Sequence, residues 1–444
     1  MGTPRRVPGR APQRPAPSRN GRGTGGGGTG GRGAVPERRG AGADGGRRRD
    51  RTQPERTQRE RPQPERTQRE RPQPARAQSA RSGAARSQPA RVSEPSVHRL
   101  ELVHLPGLAD VVRGELAELP AVRRVRAVPG REDALDVEWS GGLRGALRLR
   151  TVVAPFLRLH FDVPRPRSLL SGEHFPRLLT ALRTARDLDP ATPVRSFRFD
   201  AAGRDSTVLR LLADQITAAA RLRHDPDDGA VVIRLRRGGE GWDVLVRLGA
   251  RPLSARAWRR VGHPAAANAT VAAAMTRLGG CAPGDRVANL MCGSGTLLVE
   301  RLLAGPAALA VGVDASEEAV AATRENLAAA GLAEGARLVV ADVESPEWAA
   351  EGPFDLLLAD PPWGDKAGRH SESEQVHRLL LSRAAEVAAP GARLVVLTHE
   401  IRVMGRCLRE AAASWGLVSE LSVFHKGHHP RIYVLHRQAA PPRS

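Results

Sequence analysis

Hydrophobic and polar positions divide the chain into a polar beginning and a long patterned remainder. Residues 1–95 contain almost no large apolar side chains, whereas apolar runs and amphipathic stretches alternate from about Val97 onward. A segment that cannot bury apolar surface cannot offset the entropy that it loses on ordering. We therefore expect residues 1–95 to be a disordered tail rich in Arg, Pro, Gly and Gln. Its ten-residue repeat between Arg51 and Ala80 has no apolar positions to stack, which indicates low complexity and not a solenoid.

The pattern that follows predicts two small α/β units, at residues 96–165 and 166–257. The first contains a strand, a turn and an amphipathic helix in "RLELVHLPGLADVVRGELAEL", then strand-like runs at "ALDVEWS" and "ALRLRTVV". The second contains helical "RLLTALRTA", strand-like "VRSFRFDA" and helical "TVLRLLADQITAAARL", then a hairpin pattern in "GAVVIRLRRGGEGWDVLVRLGA". The segment "LSARAWRRVGHPAA" is predicted to be a linker into the next domain.

Residues 258–440 alternate short apolar strands with amphipathic helices, and Ser316 stands at the expected N-cap of one helix. Such alternation predicts a parallel sheet that helices cover on both faces. The final two strand patterns, "LVSELSVFH" and "RIYVLHR", have no helix between them. We therefore predict a mostly parallel, seven-stranded sheet with an antiparallel hairpin at one edge.

Charge is distributed very unevenly along the chain. The first 95 residues contain 23 arginines and 8 acidic residues, whereas the other 349 contain 46 basic and 40 acidic residues. The sequence pI of about 11.4 therefore reflects the tail more than the folded part. Two roles of the tail stay open, a cationic arm that speeds encounters with RNA and an inert solvating segment.

Cysteine spacing and hydropathy argue against several classes of protein. Cys281, Cys292 and Cys407 form no CxxC pair, so we expect neither a disulfide framework nor a zinc site. No apolar run approaches the ~18 residues that a membrane span needs. These features are typical of a protein of the reducing cytoplasm.

Polar residues follow three successive strand patterns of the last domain. "ANLMCGSGTLL" places Gly293 and Gly295 between a strand and a helix, where the backbone can approach a ligand and helix N–H groups can bind an anion. Asp314 ends the next strand, where it can accept both hydroxyls of a ribose, and Asp342 ends the third. Leu298 stands where a dinucleotide fingerprint would have its third glycine, so S-adenosylmethionine is the favoured nucleoside cofactor. The candidate cofactor-binding residues are Asn289, Cys292, Gly293, Ser294, Gly295, Thr296, Asp314, Ala315, Asp342, Val343 and Asp360.

The fourth strand pattern ends in "LLLADPPWG", which provides the candidate catalytic residues Asp360, Pro361, Pro362 and Trp363. A carboxylate and rigidly held carbonyls can accept hydrogen bonds from an exocyclic amino group of a nucleobase. Trp363 offers a ring on which the base can stack. Hydrogen bonds from the amino group to Asp360 and the Pro361 carbonyl would aim the nitrogen lone pair at the cofactor methyl. This pattern indicates methylation of an exocyclic base nitrogen.

"CGSGT", "VGVDAS" and "DPPWG", in this order, resemble the class I methyltransferases that modify base amino groups. Residues 258–438 resemble the catalytic domain of the THUMP-containing RNA guanine-N2 methyltransferases, through "HPAAANATVAAAM" and "HKGHHPRIYVLHR" as well. Residues 96–255 resemble the ferredoxin-like and THUMP domains of that family. The resemblance implies a Rossmann-like fold, S-adenosylmethionine, and an RNA partner, with tRNA favoured over rRNA. We also expect a cytoplasmic protein without a metal site, with a monomer favoured.

Alternatives stay open at this point. DPPW is shared with adenine-N6 methyltransferases, and a non-catalytic RNA-binding protein with a decayed site is a third possibility. Asn289 and Leu290 replace the family's Asp-Pro, which keeps one oxygen acceptor near the cofactor ammonium but removes a charge. A lost charge-assisted bond costs about 1–2 kcal/mol, so Asn289→Asp is expected to raise cofactor affinity. The alternative is that neighbouring residues have adjusted to a neutral side chain, in which case the new carboxylate would lack a partner and cofactor affinity would fall. The loop "HKGHH" has no nearby carboxylate or cysteine and is predicted to be a solvated hairpin loop. Arg256, Arg259 and Arg260 are expected either to contact phosphate or to form a solvated linker.

Overall fold

The computed structural model describes residues 97–262, 266–362 and 370–439. The predicted disordered tail lies outside these residues, and so does Trp363. Within the described part, no helix is long and apolar enough to cross a bilayer.

The N-terminal part is built on an eight-stranded sheet. Its strands, paired in the order β2-β3-β1-β4-β8-β7-β5-β6, are β1 (Val97–Val103), β2 (Val122–Ala127), β3 (Ala134–Ser140), β4 (Ala154–Phe161), β5 (Ser196–Phe199), β6 (Arg223–His224), β7 (Val231–Gly238) and β8 (Gly241–Arg247). The helices of this part are α1 (Ala109–Ala117), α2 (His174–Asp187) and α3 (Thr207–Ala220).

Alternation along the strands places this part's core between sheet and helices. Leu100 and Leu102 of β1 are fully buried in the cluster that contains the apolar faces of all three helices. Glu101 lies between them, points to the opposite face of the sheet, and accepts hydrogen bonds from Arg131 and Arg236. Period-two alternation along β1 thus separates an apolar face, which packs against the helices, from a charged face.

The two predicted N-terminal units share this single sheet. Strand β4 pairs with β8 along its length, for example Phe156 with Arg247. The boundary between residues 165 and 166 therefore stays a prediction.

One predicted strand is wrong. "ALRLRTVV" spans the end of a short 3-10 helix, Leu143–Arg148, and the loop after it. Strand β4 begins only at Ala154. The backbone N–H groups of Arg150 and Thr151 donate to the buried carboxylate of Glu115, at 2.7 and 3.0 Å, and not to a neighbouring strand. The alternation of apolar residues is real, because Ala146, Leu149 and Val152 are buried, but side-chain burial does not require a strand.

The C-terminal part contains the predicted seven-stranded sheet. Its strands, in the order β11-β10-β9-β12-β13-β15-β14, are β9 (Arg286–Leu290), β10 (Leu309–Asp314), β11 (Arg337–Val340), β12 (Phe354–Ala359), β13 (Ala388–Thr398), β14 (Trp415–Ser422) and β15 (Arg431–Arg437). The helices are α4 (Ala269–Gly279), α5 (Thr296–Ala304), α6 (Glu317–Ala329), α7 (Pro346–Ala349), α8 (His370–Val387) and α9 (Ile401–Glu410).

This sheet confirms the predicted fold class. The pairs from β11 to β13 are parallel, and β15 runs antiparallel to both β13 and β14. The inner parallel strands β9, β10 and β12 are buried on both faces, which explains the continuous apolar run "LLLA" in β12. Their carboxyl ends meet along one edge, and there the candidate residues come together.

Two arginines fasten the N-terminal part to α5 of the C-terminal part. Glu300 on α5 is fully buried, and its carboxylate accepts from the Nε atoms of Arg150 and Arg256, at 2.9 and 2.8 Å. Trp258 is 6% exposed and packs in a cluster with Leu298 and other apolar residues of the C-terminal part. The predicted linker is therefore an integral part of the packing.

Candidate functional site

A cavity of about 660 Å³ opens at the carboxyl edge of the seven-stranded sheet. Its walls come from the turn between β9 and α5, the ends of β10 and β12, the segment after β11, the segment before α4, and α6 and α8. The predicted residues that line it are Cys292, Gly293, Ser294, Thr296, Asp314, Ala315, Asp342, Val343, Asp360 and Pro362. The structure thus gathers into one cavity residues that lie up to 70 positions apart in the sequence.

The Gly-rich turn forms the floor of this cavity. Gly293 and Gly295 have φ angles of 55° and 76°, which favour glycine. A Cβ on Gly295 would lie 2.6 Å from the Thr323 side chain, so the turn also packs tightly against α6. The Ser294 hydroxyl is buried and has no hydrogen-bond partner among the described residues. This turn therefore presents an unsatisfied polar group and the N-terminus of α5 to a ligand.

Asp314 is held in place by the backbone on both sides. Its carboxylate accepts from the N–H of Gly293 at 2.8 Å and from the N–H of Ser316 at 3.0 Å. Ser316 is the N-cap of α6, as predicted, and accepts from the N–H of Ala319. Each carboxylate oxygen keeps one lone pair for a further donor. The side chain is therefore preoriented to accept a pair of hydroxyl groups.

Asp342 lies beside Asp314 on the neighbouring strand, two residues after the end of β11. It is exposed, and its Oδ1 atom accepts from the N–H of Glu344 at 2.9 Å. Val343 beside it is 9% exposed and, with Ala341, gives this wall an apolar surface. This arrangement can hold a planar ring between an apolar wall and a polar rim.

Asp360 lies at the end of β12, directly after the buried Ala359. Its side chain is half-buried and faces the cavity together with Pro362, while Pro361 is buried behind them. The predicted Trp363 is outside the described residues.

The structure places two predicted cofactor-binding residues outside the lining. Asn289 is fully buried within β9, where its Nδ2 atom donates to the carbonyl of Leu358 at 3.1 Å. Its Oδ1 atom accepts no hydrogen bond from a described residue. Gly295 shapes the turn without lining the cavity.

Cys292 lines the cavity as a packing residue, in agreement with its sequence interpretation. It is 7% exposed, and burial raises the pKa of its thiol to about 12. At neutral pH the thiol is protonated, and a protonated thiol is a poor nucleophile.

Sequence reasoning missed the wall that the end of the linker provides, as well as the lining residues of α6 and α8. At the end of the linker, Val261, Gly262, Ala266 and Ala267 line the cavity. Asn326 of α6 holds Val261 there: its Oδ1 accepts from the N–H groups of Arg260 and Val261, and its Nδ2 donates to the carbonyls of Val261 and Ser294. The signal available in the sequence was an Asn in the middle of an amphipathic helix, where an amide needs a specific partner.

Arg256 and Arg259 make hydrogen bonds inside the protein, so both interpretations from the sequence, a phosphate contact and a solvated linker, are wrong for these two side chains. Arg256 pairs with Glu300, and Arg259 donates to the carbonyl of Ala267 and the hydroxyl of Thr296, both at 2.9 Å. Burial lowers the pKa of the Arg259 guanidinium. These side chains are therefore internal braces beside the Gly-rich turn.

The charge of the lining distinguishes between nucleoside cofactors. The described lining residues include the four acids Asp314, Glu318, Asp342 and Asp360, and no Arg, Lys or His. An anionic pyrophosphate would meet net repulsion there, whereas a sulfonium cation would be attracted. Asp314 fits a ribose diol, and Ser294 with the α5 N-terminus fits a carboxylate. The residues present therefore fit S-adenosylmethionine.

Comparison with known proteins agrees with this assignment. Residues 256–431 match the family UPF0020, described as an RMKL-like methyltransferase domain. The tRNA (guanine(6)-N2)-methyltransferase of Thermus thermophilus is 28% identical over 355 residues, which cover 76% of this chain and 99% of that relative. The crystal structure of TrmN from Thermus thermophilus is 26% identical and gives a TM-score of 0.59, covering 77% of this chain and 100% of that one.

A different kind of methyltransferase matches a shorter region. The release factor glutamine methyltransferase of Rhodospirillum rubrum is 36% identical over 123 residues, which cover 27% of this chain and 36% of that protein. The match to the tRNA enzyme covers 76% of this chain and therefore extends well beyond residues 256–431, whereas the match to the release factor enzyme covers 27%. The chain is therefore a class I methyltransferase, and its residues 256–431 match the UPF0020 methyltransferase domain.

Proposed function

We propose that this protein transfers a methyl group from S-adenosylmethionine to the exocyclic N2 of guanine in structured RNA, with tRNA as the first candidate. The observation that carries this proposal is the acid-lined cavity next to Asp360 and Pro362, in a chain whose match to a tRNA guanine-N2 methyltransferase covers 76% of this chain and 99% of that relative. The release factor enzyme matches only 27% of this chain, whereas the tRNA enzyme matches 76%, which favours RNA over protein as the substrate.

The cofactor would be held by the residues that surround the cavity. Asp314 would accept the ribose hydroxyls, Asp342 and Val343 would hold the adenine, and the Gly-rich turn with Ser294 would hold the methionine part. When bound, S-adenosylmethionine supplies an electrophilic methyl group on a positively charged sulfur.

Asp360 would then act on the acceptor base. Its carboxylate and the Pro361 carbonyl would accept the two hydrogens of the guanine amino group, which aims the nitrogen lone pair at the methyl carbon. The Asp360 carboxylate would stabilise the positive charge that the nitrogen gains on methylation, and it would pass the surplus proton to water. Orientation supplies most of the acceleration, and a strong base is not needed.

The N-terminal part would bind the RNA. We propose that the ferredoxin-like unit at 96–165 and the THUMP-like unit at 166–257 contact the folded RNA through its shape and phosphates. The protein would act in the cytoplasm, where tRNA is processed, as a monomer.

The test compares wild type with Asp360→Ala and with the control Asp110→Ala, whose carboxylate is on the surface of α1 and 99% exposed. RNA from a strain that lacks the gene is incubated with labelled cofactor, and its nucleosides are then identified by mass spectrometry. Wild type and the control should form N2-methylguanosine. Asp360→Ala should lose turnover by at least about a thousandfold, with cofactor affinity in calorimetry unchanged within a few-fold.

Other products would identify other functions. N6-methyladenosine would establish the adenine alternative, which the shared DPPW motif permits. Methylation of a release factor, with no methylated RNA, would identify the protein as a glutamine methyltransferase. No methyl transfer to any RNA or protein fraction would favour the non-catalytic binder.

A further inference from the structure

The loop between β14 and β15 lies at the same sheet edge as the cavity. This tip loop, Val423–Pro430, contains the sequence "HKGHH", to which the proposed function gives no role. Strand β15 pairs with β13 so that Arg431 lies opposite Thr398, and β13 pairs with β12 so that Val396 lies opposite Ala359. The tip loop therefore leaves the sheet two strand spacings, about 10 Å, from the end of the strand that precedes Asp360.

The backbone of the tip loop is rigid. His425 and His428 exchange two backbone hydrogen bonds, of 2.9 and 3.0 Å, around Lys426 and Gly427, whose φ angles are 50° and 83°. Two positive φ angles between paired residues define a type I′ turn, which holds a hairpin tip in one conformation. The base of the loop is closed by the buried residues Val423 and Pro430, since the Val423 N–H donates to the Pro430 carbonyl at 2.9 Å.

The outer surface of the tip loop is aromatic and cationic. Phe424 is 41% exposed and is the one aromatic residue among the exposed large hydrophobic side chains of the described part. Its ring centroid lies 4.8 Å from that of the exposed His429, at an interplanar angle of 43°. Lys426 is exposed at the turn, and the segment contains no acidic residue. His428 packs edge-on against His399, which follows β13, with ring centroids 5.2 Å apart.

The tip loop is also fastened to the N-terminal part. The Phe424 N–H donates to the carbonyl of Pro106 at 3.0 Å, and Gly107 lies against the carbonyl of Ser422. The loop thus lies where the proposed RNA-binding part meets the carboxyl edge of the seven-stranded sheet (the catalytic edge).

We propose that the tip loop binds a nucleotide that flanks the target guanosine in the substrate RNA. A base would stack on Phe424 and His429, and Lys426 would contact an adjacent phosphate. Exposed aromatic rings beside a lysine are the usual means of holding unpaired nucleotides, because every base has a stacking face and every nucleotide a phosphate. Bound in this way, the flanking nucleotide would fix the position of the target base over Asp360. The inference rests on the proposed function.

The test uses Phe424→Ala and Phe424→Trp in the full chain, with Val418→Ala as the control. Val418 is 61% exposed on β14 and distant from the edge that carries the cavity. Loss of one stacked base should raise the KM for tRNA from a gene-deletion strain about tenfold, with kcat within twofold and cofactor affinity unchanged. Phe424→Trp should retain wild-type KM. Val418→Ala should match wild type in every measurement.

Lys426→Ala tests the phosphate contact separately. The slope of log affinity against log salt concentration should fall by about one, because one fewer counterion is released. The RNA-binding affinity of each variant is also measured directly by fluorescence anisotropy with the same tRNA, without cofactor. Phe424→Ala should bind about tenfold more weakly than wild type.

The outcomes separate this inference from the proposed function. If wild type methylates RNA and Phe424→Ala has unchanged KM and RNA affinity, the tip loop does not bind nucleotides while the proposed function stands. If wild type methylates no RNA, the proposed function fails, and equal anisotropy of wild type and Phe424→Ala overturns the tip-loop inference as well. A fall in melting temperature or cofactor affinity in Phe424→Ala would assign the residue a structural role and overturn it too.

Discussion

At the scale of single residues, Asn289 shows how burial changes the meaning of a sequence motif. The sequence alone suggests that an aspartate at this position would restore a charged acceptor for the cofactor. In the structure Asn289 is fully buried within β9, outside the cavity lining, and its amide donates to the Leu358 carbonyl. A carboxylate at that position would have no donor from the described residues and would lie next to a carbonyl oxygen.

Asn289→Asp is therefore expected to destabilise the protein and not to strengthen cofactor binding. The loss of one buried hydrogen bond and the burial of an unpaired carboxylate should lower the free energy of unfolding by about 2–4 kcal/mol. Urea unfolding and calorimetric titration with S-adenosylmethionine provide the two measurements. A variant with unchanged stability and tenfold tighter cofactor binding would show that the side chain reaches the ligand after all.

The cavity residues that follow strand ends could be predicted from the sequence because the carboxyl ends of parallel strands share one edge. Gly293, Asp314 and Asp360 each follow an apolar run closely, so their positions need no distance information. Asn289 could not be placed in this way because it precedes the last residue of β9, and strand residues alternate between faces. A side chain just inside a strand end can face either the ligand or the core. For Asn289 the outcome is set by its hydrogen bond to the neighbouring strand β12.

At the scale of elements, α6 connects the linker to the Gly-rich turn through one amide. Asn326 is fully buried and makes four hydrogen bonds of 2.8 to 3.1 Å with backbone groups of Arg260, Val261 and Ser294. Each of these backbone groups lies in a segment without regular secondary structure. Helix α6 thus holds two walls of the cavity through Asn326, because the described residues of these walls have no strand or helix hydrogen bonds of their own.

Asn326→Ala is expected to weaken both stability and cofactor affinity. Unsatisfied buried backbone groups and a small cavity should cost about 3 kcal/mol of unfolding free energy. Cofactor affinity should fall about tenfold or more, because the linker wall is no longer held against the turn. Glu325→Ala, on the exposed face of the same helix, serves as the control in urea unfolding and calorimetry. Equal behaviour of the two variants would contradict the bracing role of Asn326.

The elements themselves differ in how well their patterns predict them. The hairpin strand "RIYVLHR" is found at Arg431–Arg437 and the helix "TLLVERLLA" at Thr296–Ala304, as predicted. Helix α4 was missed because its alanine-rich face is buried nearly all round, which removes the amphipathic signal. Strand β2, at Val122–Ala127, was missed because arginines occupy half of its positions at a sheet edge. Such elements are specified by tertiary neighbours more than by their own patterns.

At the scale of the whole molecule, the parts that contain the two sheets are joined by ion pairs that the sequence pattern of neither part predicts. Arg150 and Arg256 meet Glu300, and Arg277 of α4 meets Glu118 after α1. These pairs connect residues more than 40 positions apart, and in two of the three cases more than 100 apart. Charge pairing over such separations cannot be inferred from local spacing, although the near balance of charge after residue 95 shows that many such pairs are available.

Gly107 provides the sharpest test of how the N-terminal part sits against the catalytic edge. It has a φ angle of 95°, and a Cβ at this position would lie 2.0 Å from the carbonyl oxygen of Ser422. Gly141 has the same φ angle of 95°, but a Cβ there would meet no atom within 4 Å. The two alanine substitutions therefore share backbone strain and differ in the steric clash.

Gly141→Ala should lower the unfolding free energy by about 1–2 kcal/mol, the usual cost of a side chain in a left-handed conformation. Gly107→Ala should cost at least about 2 kcal/mol more, because the turn after β1 must move away from β14 and the tip loop. The same displacement should raise the KM for tRNA in Gly107→Ala and leave it unchanged in Gly141→Ala. Urea unfolding and steady-state methylation measure the two effects. If both variants lose the same stability and keep the same KM, then close packing at Gly107 is not what holds the N-terminal part against the catalytic edge.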